Sequence, residues 1–198
     1  MLIQWLTKLL LIAGLSIVAY SGYMIWDGNR QVANTLAEAN ELVNAQRNIN
    51  NDVAKRNDET VFAPQLNDVI GVISIPKLEK ELPIIIGTED EQLSRGVGHY
   101  VGTKFPGEEG QILLSGHRDT VFKGLGNLLH GDEIVLDVEY GSYTYEIVNT
   151  YIVDADDTTV IDFSIDEEIL LLTTCYPFQY VGNAPERYVI EAKPISND

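Results

Sequence analysis

Cys175 is the one cysteine among 198 residues, and it stands after Ile169-Leu170-Leu171-Leu172-Thr173-Thr174 and directly before Tyr176-Pro177-Phe178. A thiolate attacks carbonyl carbon readily, but it needs a neighbour that favours the ionised form and an acid to protonate the leaving group. Two further positions have comparable settings. His117 follows the apolar stretch Gln111-Ile112-Leu113-Leu114 through Ser115-Gly116, and Arg187 opens Arg187-Tyr188-Val189-Ile190 after Pro185-Glu186. An imidazole exchanges the proton and a guanidinium holds a developing oxyanion, so the three side chains together suit acyl transfer through a thioester. Plainer roles exist for each. A lone Cys is commonly an inert buried hydrophobe, and Arg187 has Glu186 and Glu191 as ion-pair candidates. Asp119 can orient His117 as a triad acid would, or cap the turn through Thr120 and Val121, and the three-residue set does not need it.

The elements that must position these groups read as strands. An uninterrupted apolar run with a Thr pair is a buried strand, and Pro177, which cannot donate to a ladder, stops it just past Cys175. The thiol is thereby expected at a sheet rim, and His117, at the end of its own apolar strand, at the same rim. Val69–Ile75, Leu82–Gly87, Gln111–Ser115, Ile134–Glu139, Tyr143–Val148, Ile152–Val153, Thr159–Ile161, Ile169–Thr174 and Arg187–Ala192 all carry strand patterns, with a hairpin across Gly141-Ser142. Short helices are expected at Glu89–Leu93 and near Phe122–Leu128. Many short strands with turns at close intervals imply a sandwich or a closed barrel. Hydrophobic residues at 45% and charged residues at 22% are those of an ordinary folded domain. A single Cys excludes an intrachain disulfide and the clustered Cys ligands of structural zinc sites.

The N-terminus differs in texture. Leu9 to Trp26 carries no charged residue, between Lys8 and Asp27. As a helix it covers about 27 Å, close to a hydrocarbon core of about 30 Å. Trp5, Tyr20, Tyr23 and Trp26 flank or end it, as interfacial aromatics do. A cleaved signal peptide is the rival, with Ala19-Tyr20-Ser21 as its site, but the apolar run continues past that site through Tyr23-Met24-Ile25-Trp26, which favours an uncleaved anchor. From Asn29 to Glu59 the chain is polar, with Val32, Leu36, Ala39 and Val43 at helical steps. So narrow a stripe predicts a solvated helical stalk rather than a core element, ended by Pro64. The division is a membrane anchor at 1–28, a helical stalk or linker at 29–64 and a catalytic barrel at 65–198. With little to bury, the stalk is dispensable, and a chain without residues 1 to about 60 is expected to fold and stay active.

All thirty acids and twelve of the thirteen bases lie from Asp27 onward, and the net charge is −17. Phosphate recognition requires clustered Lys and Arg, so nucleic acid is excluded as a partner. Asp154, Asp156 and Asp157 form the densest acid cluster but lack the Gly and distal Glu of a calcium loop, so no metal is expected to be required. His130 is expected to face solvent in a turn. No cofactor motif is present.

At its motifs the chain resembles the sortases, membrane-anchored cysteine transpeptidases of bacterial cell surfaces. Their Thr-Leu-x-Thr-Cys motif stands here as Leu171-Leu172-Thr173-Thr174-Cys175, matching at Leu172, Thr174 and Cys175 and departing at Leu171. The blocks Gly96-Val97-Gly98-His99-Tyr100, Ser115-Gly116-His117-Arg118-Asp119-Thr120-Val121-Phe122 and Gly182-Asn183-Ala184-Pro185-Glu186-Arg187-Tyr188 are similar to class D, over Asp68 to Lys193. His99 matches its block without being the family's catalytic histidine. The resemblance implies an all-β fold, a closed eight-stranded barrel with short helices behind a transmembrane helix and stalk. It also implies Cys175 as nucleophile, His117 as acid and base and Arg187 as oxyanion or substrate anchor, with Thr174 and Tyr176 as substrate-binding neighbours. The partners it implies are surface proteins bearing a C-terminal Leu-Pro-x-Thr type sorting signal and an amine of peptidoglycan or its precursor. The implied location is the bacterial cell membrane, crossed once, with the catalytic domain outside. Alternatives are a pilus-polymerising sortase, whose Asp-Pro lid dipeptide this sequence lacks, and a catalytically silent surface-binding module. A papain-like protease fits less well, because its cysteine precedes its histidine and here His117 comes first.

Overall fold

The computed structural model describes residues 2–52, 62–180 and 182–195. A helix α1 (Leu2–Asp52) leads to strands β1 (Val69–Ile75) and β2 (Lys80–Ile86), a short helix α2 (Asp90–Arg95), β3 (Val97–His99) and β4 (Gln111–Ser115). Then come β5 (Glu133–Val138), β6 (Gly141–Asp154), β7 (Ile169–Tyr176) and β8 (Glu186–Pro194). The eight strands close in the order β1-β2-β3-β4-β7-β8-β6-β5. Ile73, Ile84, Ile112, Leu114, Leu136, Tyr145, Leu170 and Leu172 point inward and fill the barrel. The barrel expected from the resemblance is therefore the fold observed.

The apolar runs of β4 and β7 have a topological cause. These strands pair in parallel, Leu113 opposite Leu171 and Ser115 opposite Thr173, at a place where both faces are covered. Parallel strands buried on both faces read as continuous apolar stretches. Gly71 answers a different constraint. A Cβ there would lie 2.2 Å from the Asp137 carbonyl oxygen, so β1 reaches β5 at that position only because the residue is glycine.

Three expectations need correction. Thr159–Ile161 is not a strand but a 3-10 turn over Thr158–Val160, because the Asp157 carboxylate accepts the Thr159 amide at 2.9 Å and its hydroxyl at 2.6 Å. Such local side-chain bonds offer the backbone an alternative to the ladder. The stretches at Tyr143–Val148 and Ile152–Val153 are one strand, β6, with a bulge between Ile147 and Asn149 that breaks its alternation. The eighth place in the barrel is filled by β3, three residues with a central glycine, too short to leave a periodic signal.

The largest correction concerns α1. It runs without interruption from Leu2 to Asp52, and up to Trp26 its described side chains are exposed. The stripe read as solvated is covered. Ala39 and Val43 are 0% and 6% exposed, and Leu36 and Ala39 pack on Val69, Val72 and Ile85, while Val32 reaches the barrel's inner cluster. The second half of α1 is a layer of the domain, because β1 and β2 present apolar side chains on their outer face too. Of the stalk or linker expected at 29–64, residues 53–61 lie outside the described residues; Pro64, the expected stop, is described and lies in no helix.

His99, in β3, is buried, donates from Nε2 to the Lys104 carbonyl at 2.9 Å and stacks on Phe105 with ring centroids 4.7 Å apart. Its Nδ1 is buried and meets no hydrogen-bond partner among the described residues. Burial therefore holds its pKa below the ordinary histidine value, against smaller opposing contributions from the Lys104 carbonyl and Glu108. A depressed folded value means that the unfolded chain binds a proton which the folded chain refuses. Stability from this site is full above about pH 6.5 and is lost as pH falls, by up to about 1.4 kcal/mol per pH unit for one proton. Urea unfolding between about pH 7.5 and 5 is expected to show this slope, and His99→Gln, which keeps an N–H for the Lys104 carbonyl, to flatten it. Equal slopes in the two proteins would place the dependence elsewhere.

Candidate active site

Cys175 stands next to last in β7, as expected, but alternation along that strand turns it outward. Leu170, Leu172 and Thr174 point into the barrel, whereas Leu171 belongs to a second cluster on the outer wall with Leu113 and Val189. Cys175 shares that outer parity and is half-buried. It faces a groove of about 470 Å³ laid across the wall rather than an open rim. Leu113, Val189, Val153 and Tyr100 line the groove from the strands and their ends, and Val160 and Ile161 wall it from the segment between β6 and β7. Cys175, His117, Arg187 and Thr174 all line it.

Strand register brings the three chemical groups together. Arg187 lies directly opposite Cys175 in the antiparallel β7–β8 pair. Its Nη1 donates to the Glu186 carbonyl at 3.0 Å and the Ala184 carbonyl at 3.3 Å, and no ion pair with Glu186 or Glu191 forms among the described residues. The guanidinium keeps further N–H groups for an oxygen at the groove.

His117 is delivered by the parallel β4–β7 pair, and the turn that carries it is tied on several sides. Ser115 Oγ and Thr173 Oγ1 share a hydrogen bond of 2.7 Å, and the Gly116 amide donates to the Thr173 carbonyl at 3.1 Å. The Thr174 hydroxyl, 3% exposed, donates to the Gly116 carbonyl at 2.7 Å. Gly116 has no room for a side chain, since a Cβ would meet Phe122 at 2.7 Å. The Phe122 amide closes the turn on the His117 carbonyl at 3.0 Å. Lys80, from β2, donates to the carbonyls of Val121 at 2.8 Å and Thr120 at 3.2 Å. Its burial, and secondarily Lys123, lower its pKa from the ordinary lysine value. On the far side Arg118 donates to the carbonyls of Tyr180 and Gly182.

The two expected neighbours of the thiol part company. Thr174 lines the groove, and its hydroxyl, engaged on the Gly116 carbonyl, also holds the His117 turn. Tyr176 lies outside the groove lining, packed between Phe178 and Tyr188 with centroids at 5.3 and 6.2 Å. His130 is exposed, as its turn implied, and Asp119 is exposed too. Among the described residues no group of three or more His, Cys, Asp or Glu is arranged to hold a metal ion. Lys80, Arg118 and the Ser115–Thr173 pair escaped the sequence reading. A lysine at a strand start and hydroxyls in a strand look like ordinary surface chemistry until the chain folds.

The match to a sortase domain model spans residues 73–195, which contain every one of these groups. Sortase D of Bacillus subtilis strain 168 is 45% identical over 187 residues, covering 93% of this chain and 94% of its own. Among solved structures, a Clostridium perfringens Sortase D5 transpeptidase superposes with a TM-score of 0.70 at 27% identity, over 84% of this chain and 99% of that one. A C. perfringens sortase C, solved with the C-terminal cell wall sorting motif, superposes with a TM-score of 0.62 at 26% identity, over 81% and 89%. Because the likeness runs through sequence and barrel alike, this chain belongs to the sortase family of cysteine transpeptidases.

Proposed function

We propose that the chain cleaves a Leu-Pro-x-Thr type sorting signal and joins the surface protein that carries it to an amine of peptidoglycan or its precursor. The observation that carries this reading is the register that sets Arg187 opposite Cys175, beside the His117 turn, at one end of an apolar groove on the barrel wall. The Cys175 thiolate attacks the carbonyl carbon of the signal's Thr, and the carbon–nitrogen bond to the next residue breaks after a tetrahedral intermediate. His117 protonates the departing amine. Arg187 and the backbone near Cys175 hold the oxyanion. An incoming amine then attacks the thioester, His117 takes its proton, and Cys175 leaves. Apolar walls suit the Leu and Pro of the signal. The C. perfringens sortase C solved with a sorting motif supports the substrate class.

The exposed apolar part of α1 is a candidate membrane span. We place residues 1–28 in a single pass with the N-terminus inside and the barrel outside, 65–198 as the catalytic barrel, and between them a connection, 29–64, whose helical part also covers β1 and β2. Arg30 over the Trp26 ring, 5.3 Å from its centroid, suits a helix leaving the interface there. Since the same helix continues into the domain wall, the groove is held at a set attitude to the membrane.

Full-length chain in detergent, incubated with a fluorogenic Leu-Pro-x-Thr peptide and diaminopimelate or oligoglycine, tests the proposal. Mass spectrometry is expected to show an acyl adduct on Cys175, and the peptide joined to the amine. Absence of both across a library varied after the Thr would overturn it.

A further inference from the structure

Gln111, the first residue of β4, is 6% exposed, and its side-chain amide bonds away from its own strand through both its nitrogen and its oxygen. Nε2 donates to the Val160 carbonyl at 2.9 Å, and Oε1 accepts the Asp162 amide at 3.1 Å. Its backbone is fixed by pairing with Ile169 and by the Lys104 amide, which donates to its carbonyl at 2.8 Å. Those two bonds bracket Ile161 in the segment between β6 and β7. Val160 and Ile161 form the groove wall facing Leu113, Val189 and Cys175. Val160 and Ile161 also pack their side chains on the outer-wall cluster of Leu113, Leu171 and Val189, so the Gln111 bonds fix the backbone of a stretch whose side chains already face the wall. The carboxylates of Asp157 and Asp162 accept from Thr159 and Ser164 next to them.

We propose that Gln111 is a positioning residue that straps the β6–β7 segment to the barrel, so that the wall which grips the sorting signal stands preformed before the signal arrives. A wall already in place lets binding proceed without the cost of ordering a segment. The strap acts on binding of the acyl side of the signal, not on Cys175, fixed by its place in β7, or on His117, whose turn is held by separate bonds. The inference rests on the sorting-signal function proposed above.

Gln111→Glu and Gln111→Leu in the full-length chain test it. Gln111→Glu keeps the shape and the acceptor for the Asp162 amide but loses the donor to Val160, and Gln111→Leu loses both. KM for the sorting peptide is expected to rise on the order of tenfold in Gln111→Leu and less in Gln111→Glu, with kcat within about twofold. The rate of Cys175 alkylation by iodoacetamide is expected to stay at the parent value. Lowering the pH, which returns a donor to the Gln111→Glu carboxyl, should bring its KM back toward the parent's. Hydrogen exchange supplies a readout that needs no substrate. The Asp162 amide should be protected in the parent and exchange freely in Gln111→Leu. An unprotected Asp162 amide in the parent, an unchanged KM, or a joint loss of kcat, KM and alkylation in Gln111→Glu would each overturn the strap. Failure of the parent to turn over any sorting peptide would instead strike the substrate assignment, while exchange at Asp162 still decides whether the strap exists.

Discussion

Cys175→Ala is expected to abolish both thioacyl formation and peptide cleavage, and His117→Ala to lower kcat/KM by on the order of 10⁴-fold, while each variant unfolds at a urea midpoint close to the parent's. The separation of activity from stability follows from where the side chains stand. Cys175 is half-buried on the outer wall, so removing Sγ leaves the inner cluster of Leu170, Leu172 and Ile190 untouched. His117 is held through its backbone by the bonds of Gly116, Thr174 and Lys80, none of which uses the imidazole. Arg187→Lys keeps the charge opposite Cys175 but gives up the planar fork of donors, and is expected to lose about 3 kcal/mol of transition-state stabilisation, or about a hundredfold in kcat/KM. Near-parent kcat/KM for Arg187→Lys would reduce Arg187 to a tie for the carbonyls of Ala184 and Glu186.

The second large effect is on folding. A chain beginning after residue 60 loses the helix face that covers Val69, Val72 and Ile85, and with it the burial of Ala39, Val43 and much of Leu36. At about 25 cal/mol per Å² of apolar surface, side chains of this kind contribute on the order of 3–5 kcal/mol together. The truncated chain is therefore expected to unfold at markedly lower urea than a chain beginning at residue 27, which keeps the whole packed face. Ala39→Asp in the longer chain is expected to imitate the truncation, because a carboxylate at a fully buried position has no partner there. Circular dichroism across a urea series measures both. Coincident transitions for the two lengths would return the segment to the role of a solvated stalk, the role its narrow stripe suggests.

The sequence by itself determined the chemistry and the class of fold. One thiol at the end of an apolar strand, a histidine at the end of another and an arginine at the start of a third were visible as residue types with strand context. The blocks around them carried the family, and the long uncharged run carried the candidate span. Tertiary structure alone decided which face of β7 carries the thiol. Period-two alternation shows that Leu170 and Leu171 point oppositely, but in a strand apolar on both faces it does not show which is inside. Closure of the barrel decides it, and it sets Thr174 inward onto Gly116 and Cys175 outward into the groove. The helix face of Leu36, Ala39 and Val43 was undecidable for the same kind of reason. A narrow apolar stripe has the same pattern in solvent as against a sheet, and only the outer face of β1 and β2, assembled from Val69, Val72 and Ile85, gives it something to cover. Gln111 and Lys80 became legible last, since a polar side chain's partner 40 or 49 residues away leaves no local trace in the chain.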